Sequence, residues 1–119
     1  MKSIKYSFVF FFILLFSFSV SGQTGKRGNY FVTLNSELQT ELDSLMRIGN
    51  SYYMLGQLNI SIEYYDKAIK LNPNFAKAFY NRGNSNFDLG LNKEACLDWM
   101  KAAQLGYESA EDMMIQNCK

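Results

Sequence analysis

Histidine is absent from this chain. That absence excludes histidine-centred catalytic triads, imidazole general bases and most transition-metal sites, which depend on that ring. Cysteine is nearly as scarce, with Cys96 and Cys118 the two in the sequence. Two thiolates do not complete a four-ligand zinc site by themselves, and their separation is not the C-x-x-C spacing of redox motifs. Neither sign of charge dominates: 12 Lys and Arg stand against 11 Asp and Glu. The electrostatic footprint of a nucleic-acid binder is therefore missing. Carboxylates occur, but none has a companion placed for acid–base catalysis. Proline occurs once, at Pro73. These absences predict a non-catalytic protein without metal or cofactor.

Apolar residues are concentrated at the start. Lys2 and Lys5 precede a Phe-rich run over residues 6–20, followed by the small residues Ser21 and Gly22. This is the three-part layout of a secretory signal peptide, with cleavage expected after Gly22 to leave Gln23 first. The alternative is an uncleaved anchor that tethers the chain to a membrane, although the run is shorter than the ~20 apolar residues a spanning helix needs. Residues 22–29 are rich in Gly and charge, and a flexible leader is expected over 23–35; within it the short apolar segment Tyr30–Leu34 is left open between packing on the first helix and staying loose.

Downstream, the chain repeats itself. Residues 42–75 laid on 76–109 coincide at eight of 34 positions, among them Gly49/Gly83, Asn50/Asn84, Ser51/Ser85, Gly56/Gly90 and Ala68/Ala102. Chance alone gives about two, and a fixed period in the range of about 20–50 residues marks stacked repeats. Within each unit the apolar residues recur at helical spacing. Leu38, Leu42, Leu45, Ile48 and Tyr52 share one face, and Ser36 with Gln39 has the spacing of a capping box, so a helix is expected to start near Ser36. Gly56 and Gly90 are expected to end helices in the left-handed conformation. Asn59 and Asn92 are expected to cap the next ones, and Asn72-Pro73-Asn74 to stop the second. Glu108–Cys118 carries Ala110, Met113, Met114 and Ile115 at helical spacing and reads as a closing helix.

These units resemble the tetratricopeptide repeat, a hairpin of two antiparallel helices with a 34-residue period. The pattern falls on Leu45, Ile48, Gly49, Tyr52, Ser61, Tyr65, Ala68 and Pro73 in the first unit, and on Phe79, Gly83, Ala95, Trp99 and Ala102 in the second. The resemblance implies an all-α solenoid over residues 36–118: repeat 1 about 42–75, repeat 2 about 76–106 and a capping helix at 107–118. Arg82, Asn86 and the Gly106-Tyr107 ending depart from the pattern and are expected to loosen the second unit. The ending around Ala95-Cys96-Leu97-Asp98-Trp99 and Lys101-Ala102-Ala103 looks like exported repeat proteins of Bacteroidota, which implies a secreted or periplasmic, cell-envelope location.

The resemblance also implies a function. First helices of such repeats line a concave face that binds protein or peptide partners. Here that face is expected to carry Met46, Asn50, Tyr53, Lys77, Tyr80, Asn81, Asn84 and Phe87, with an extended peptide as ligand; the alternative is an ordinary solvated face. Some family members clamp the carboxylate end of chaperones. Asn50 and Asn81 fall on the two asparagine positions of that clamp, but Met46, Glu111 and Ile115 replace its cations, so the clamp is rejected. Two repeats fall below the roughly three usually needed for stability, so a homo-oligomer by repeat stacking is a further expectation. Cys96 and Cys118 lie nearly symmetrically about Tyr107, so a hairpin turning there brings them face to face. A structural disulfide is favoured in an oxidising compartment, against two buried thiols or a redox pair.

Overall fold

A computed structural model describes the backbone of residues 24–119 and the side chains from Phe31 onward. The expected signal peptide, residues 1–22, lies outside the described residues. Five helices follow one another: α1 (Thr24–Met54), α2 (Leu58–Leu71), α3 (Ala76–Asp88), α4 (Asn92–Gln104) and α5 (Glu108–Asn117). No strand occurs among the described residues. The fold is all-α, a succession of helical hairpins of the solenoid type.

The chain divides into two compact units, Met1–Glu37 and Leu38–Lys119. The described part of the first is the opening stretch of α1, where Phe31, Val32 and Leu34 are exposed. This stretch corrects the flexible leader expected over 23–35, because it is helical from Thr24. The capping box at Ser36 is corrected with it. Ser36 lies inside α1, and its Oγ donates to the Thr33 carbonyl three residues back. A serine bonded to the preceding turn sits within a helix without starting one, and no proline interrupts residues 24–54.

The second unit is built on two turn devices. Three helices end alike. At the end of α1, Gln57 N–H bonds to Tyr52 O and Gly56 N–H to Tyr53 O. This double bond needs a left-handed residue, and Gly56 has φ +74°. Gly90, 34 residues on, repeats it at φ +81° with bonds to Asn86 and Phe87. Gly106 does the same after α4. The second device is Pro73: α2 stops at Leu71, and Asn72 turns extended at φ −136° and ψ 98°. Asn59 and Asn92 do not cap. The next helix begins at once after each glycine turn, with Gln57 and Leu91 in the capping positions and no side-chain cap bond.

The core forms two clusters. Leu42 and Met46 of α1 pack with Tyr65 and Ala68 of α2 and Ala78 of α3. Ala95, Trp99 and Ala102 of α4 pack with Ala110 of α5, flanked by Phe79, Tyr80, Phe87 and Tyr107. Small residues let the helices approach. A Cβ on Gly49 would lie 2.7 Å from the Tyr65 ring, and one on Gly83 would lie 2.7 Å from Trp99 Cδ1 and Nε1 and 3.2 Å from Asp98 Cβ. Trp99 is fully buried and has nowhere to retreat. Gly83→Ala is therefore expected to lower stability by about 1–3 kcal/mol, as overpacked cores do. The ~1 kcal/mol by which alanine improves helix propensity offsets part of this. Urea unfolding of the variant measures the balance.

Between the clusters, Ser61 Oγ donates to the Leu58 carbonyl and accepts from Ser85 Oγ at 2.8 Å, both hydroxyls fully buried. Each satisfies the other where an unpaired hydroxyl would be costly.

Candidate functional site

The surface where α1 and α3 lie side by side holds a groove of about 350 Å³ lined by Asn50, Tyr53, Met54, Tyr65, Lys77, Asn81 and Asn84. A neighbouring depression of about 370 Å³ shares Asn50, Met54 and Lys77 with it and adds Asp43, Arg47 and Phe75. Five of the eight residues expected on the concave face, Asn50, Tyr53, Lys77, Asn81 and Asn84, thus line one groove. The other three are placed otherwise. Met46 is 4 % exposed and belongs to the first core cluster. Tyr80 packs on Tyr107 at 4.7 Å between ring centres, and Phe87 packs on Trp99 at 5.4 Å. Their apolar rings are drawn into the second core, which covers them better than water does.

Hydrogen bonds fix how the amides point. Tyr65 Oη donates to Asn50 Oδ1 at 2.8 Å, and Asn81 Nδ2 donates to the same oxygen at 2.9 Å. Trp99 Nε1 donates to Asn84 Oδ1 at 2.9 Å. An indole N–H only donates, so the Asn84 oxygen must face it and the amide nitrogen must face away. The carbonyl ends of Asn50 and Asn84 are thus committed inward. Their amino groups and the exposed Lys77 ammonium give the groove donors, and Asn81, whose Nδ2 is spent on Asn50, adds an acceptor oxygen. Tyr65, one of the repeat-pattern positions, also organises this surface by tying α2 to Asn50 on α1.

Tyr53 is held by Asp88, its hydroxyl donating to Oδ2 at 2.6 Å. That bond, more than its partial burial, pushes the Tyr53 hydroxyl up to about 12. Burial first of all raises Tyr65 to about 12 as well. Both values exceed the ordinary one of 10, so each neutral hydroxyl stabilises the fold fully below pH 10. The stabilisation is lost as pH rises through about 12. The stability difference between wild type and Tyr53→Phe is expected to be constant up to about pH 9–10 and to vanish towards about pH 12. Chemical denaturation at stepped pH reads it directly.

Among the described residues no group of three or more cysteines and carboxylates is gathered to hold a metal. No helix among them is long and apolar enough to cross a membrane. Cys96 and Cys118 are joined in a disulfide with Cα atoms 5.8 Å apart, which ties α4 to the end of α5.

Sequence reasoning missed one cluster. Arg82 of α3 donates from Nε and Nη2 to both oxygens of Asp98 on α4, at 2.9 and 2.6 Å, and from Nη1 to Asp66 of α2 at 2.6 Å. Asn86 adds a donor to Asp98 Oδ2 at 3.0 Å. Asp98 is 5 % exposed. Its hydrogen bonds, above all, hold the Arg82 proton still more tightly than usual, against the opposing effect of burial. Arg82 and Asn86 therefore bind three helices together, which corrects the expectation that they loosen the second unit. The signal was available in the repeat itself: positions 48, 52 and 64 are Ile, Tyr and Tyr, whereas their counterparts 82, 86 and 98 are all polar.

The hairpins and their shared period agree with a likeness in the central segment. Residues 49–90 match the family model for the TPR repeat. This segment is similar to the TPR repeat. The match starts at the glycine that admits Tyr65 and ends at the glycine that closes α3. TPR repeats generally mediate protein–protein interaction and typically act as non-catalytic scaffolds. No curated protein matches the chain.

Proposed function

We propose that this TPR protein is a non-catalytic interaction module of the cell envelope that takes an extended peptide segment of a partner protein into the α1–α3 groove. The observation that carries the reading is the orientation of the amides. Asn50 and Asn84 spend their oxygens on Tyr65, Asn81 and Trp99, so the groove offers N–H donors. An extended peptide offers a regular row of carbonyl acceptors, and main-chain bonds of this kind supply affinity without demanding one sequence. Met54, 85 % exposed, supplies an adaptable apolar contact beside them.

Selection from a displayed peptide library tests this. The chain is expected to enrich peptides whose binding falls about tenfold or more for Lys77→Ala/Met54→Ala, both side chains being exposed and free to change without harming the core. Equal binding by wild type and variant overturns the groove. Location outside the cytoplasm follows from the basic-then-apolar start of the sequence. N-terminal analysis of protein recovered from the envelope is expected to read Gln23 first; Met1 at the terminus would replace export with a membrane tether.

A further inference from the structure

A second surface shares no residue with the peptide groove and stands independently of that reading. Between α4 and α5 runs an open groove of about 580 Å³. Leu97 and Met100, 53 and 38 % exposed, line it from α4, and Met114 lines it from α5. Ile115 is the most exposed large apolar side chain of these two helices, at 75 %. It neighbours Cys118 of the groove at i, i+3 spacing and Glu111 at i, i+4. Water covers this apolar row at a cost.

The two ends of the row carry opposite charge. Lys93 lines the groove one turn before Cys96 on α4. Glu111 precedes Met114 and Ile115 by one turn on α5, and Glu108 lies one turn further. The disulfide sets Cys96 level with Cys118 across the hairpin. Because α4 and α5 run in opposite directions, Lys93 lies 3 residues to one side of the bridge and Glu111 lies 7 residues to the other. At ~1.5 Å per residue the two charges are roughly 15 Å apart along the hairpin. Both side chains are exposed, and neither makes an ion pair or hydrogen bond among the described residues. Glu94 and Lys101 stand off the Lys93–Leu97–Met100 stripe and are of opposite sign.

A cation at one end, a carboxylate at the other and an apolar row between them make a face that is complementary to itself. A second copy turned end for end brings its Glu111 to Lys93 and its Lys93 to Glu111. A foreign helix would have to carry this layout in reverse, whereas a second copy has it by symmetry.

We propose that the α4–α5 groove forms a two-fold contact with a second copy of this chain, Ile115 of each copy entering the groove of the other beside Leu97 and Met100. Such an isologous contact closes on itself and stops at a dimer, where head-to-tail stacking would continue.

Sedimentation equilibrium of the full chain with its disulfide intact tests this. The expected result is a dimer that Leu97→Asp abolishes. Lys93→Glu and Glu111→Lys are each expected to weaken it about tenfold. Lys93→Glu/Glu111→Lys in one chain is expected to recover wild-type association, because both pairs return with their signs exchanged. A benzophenone amino acid in place of Ile115, in isotope-labelled copies mixed with unlabelled ones, is expected to give a labelled-to-unlabelled cross-link on the peptide holding Leu97 and Met100. Circular dichroism of each variant is expected to match wild type, since every altered side chain is exposed. A chain that stays monomeric at every concentration reached overturns the proposal. So does self-association that ignores Leu97→Asp, a double charge variant no tighter than either single one, or a cross-link that falls outside α4. A groove that takes an added amphipathic helix but never a second copy overturns it as well.

Discussion

Asp98→Ala is expected to destabilise the second unit by about 3 kcal/mol, read as a fall in the urea midpoint at unchanged slope. Removing one partner of a buried ion pair costs roughly 3–5 kcal/mol, because the other charge stays behind unpaired. The lower end applies because Arg82 keeps Asp66 at 2.6 Å and retains 25 % exposure. Asn86, 8 % exposed, loses its acceptor in the same variant, which adds the cost of an unsatisfied donor. A second variant separates charge from packing. The first hairpin fills the equivalent positions with Ile48, Tyr52 and Tyr64, and Tyr52 stacks on Tyr64 at 5.6 Å. Arg82→Ile/Asn86→Tyr/Asp98→Tyr copies that solution into the second hairpin. It is expected to recover most of the loss, as apolar replacements of whole buried ion pairs do. Failure to exceed Asp98→Ala in stability would mean that the α3–α4 spacing admits only the polar arrangement.

This cluster marks where the sequence stopped being legible. Helix count and turn positions follow from local rules: the repeat period and the left-handed glycine. A residue-by-residue comparison with the repeat pattern registers Arg82 and Asn86 as two separate departures. Only the distance from Arg82 to Asp98, 16 residues on and opposite it across the hairpin, turns them into one arrangement. The ends of α1 to α4 were legible for the same local reason. The start of α1 was not: capping-box spacing at Ser36 and glycines at 25 and 28 are weak preferences, and a continuous helix overrides them.

The groove was legible in part. The resemblance, applied through its register, implied one surface for Asn50, Tyr53, Lys77, Asn81 and Asn84, and these five line one groove. It did not reveal that Met46 turns into the core, nor that the rings of Tyr80 and Phe87 are claimed by Tyr107 and Trp99. Those outcomes depend on neighbours one hairpin away, which helical spacing does not encode. Amide direction is likewise a tertiary property, set by Tyr65 and Trp99 from α2 and α4.

Cys96→Ala/Cys118→Ala is expected to cost about 3 kcal/mol, and the loss should be concentrated in α5. The bridge spans 22 residues, and closing a loop of that length removes roughly 3 kcal/mol of chain entropy from the unfolded state. Few other contacts hold α5. It has 10 residues, shorter than the ~12–15 at which an isolated helix becomes even marginal. Ala110 is its one fully buried residue, with Met113 and Met114 half-buried on the α4 cluster. Without the bridge, α5 should open before the α1–α4 hairpins do. Hydrogen exchange would then show amides of residues 112–117 accelerating by more than tenfold, with those of α2 and α3 changing less. Reduction of the wild-type chain by a dithiol is expected to reproduce the pattern, because Cys96 and Cys118 are partly exposed where they line the α4–α5 groove. If α5 exchange were unchanged in both cases, Ala110 packing alone would hold the last helix and the bridge would add nothing to the fold.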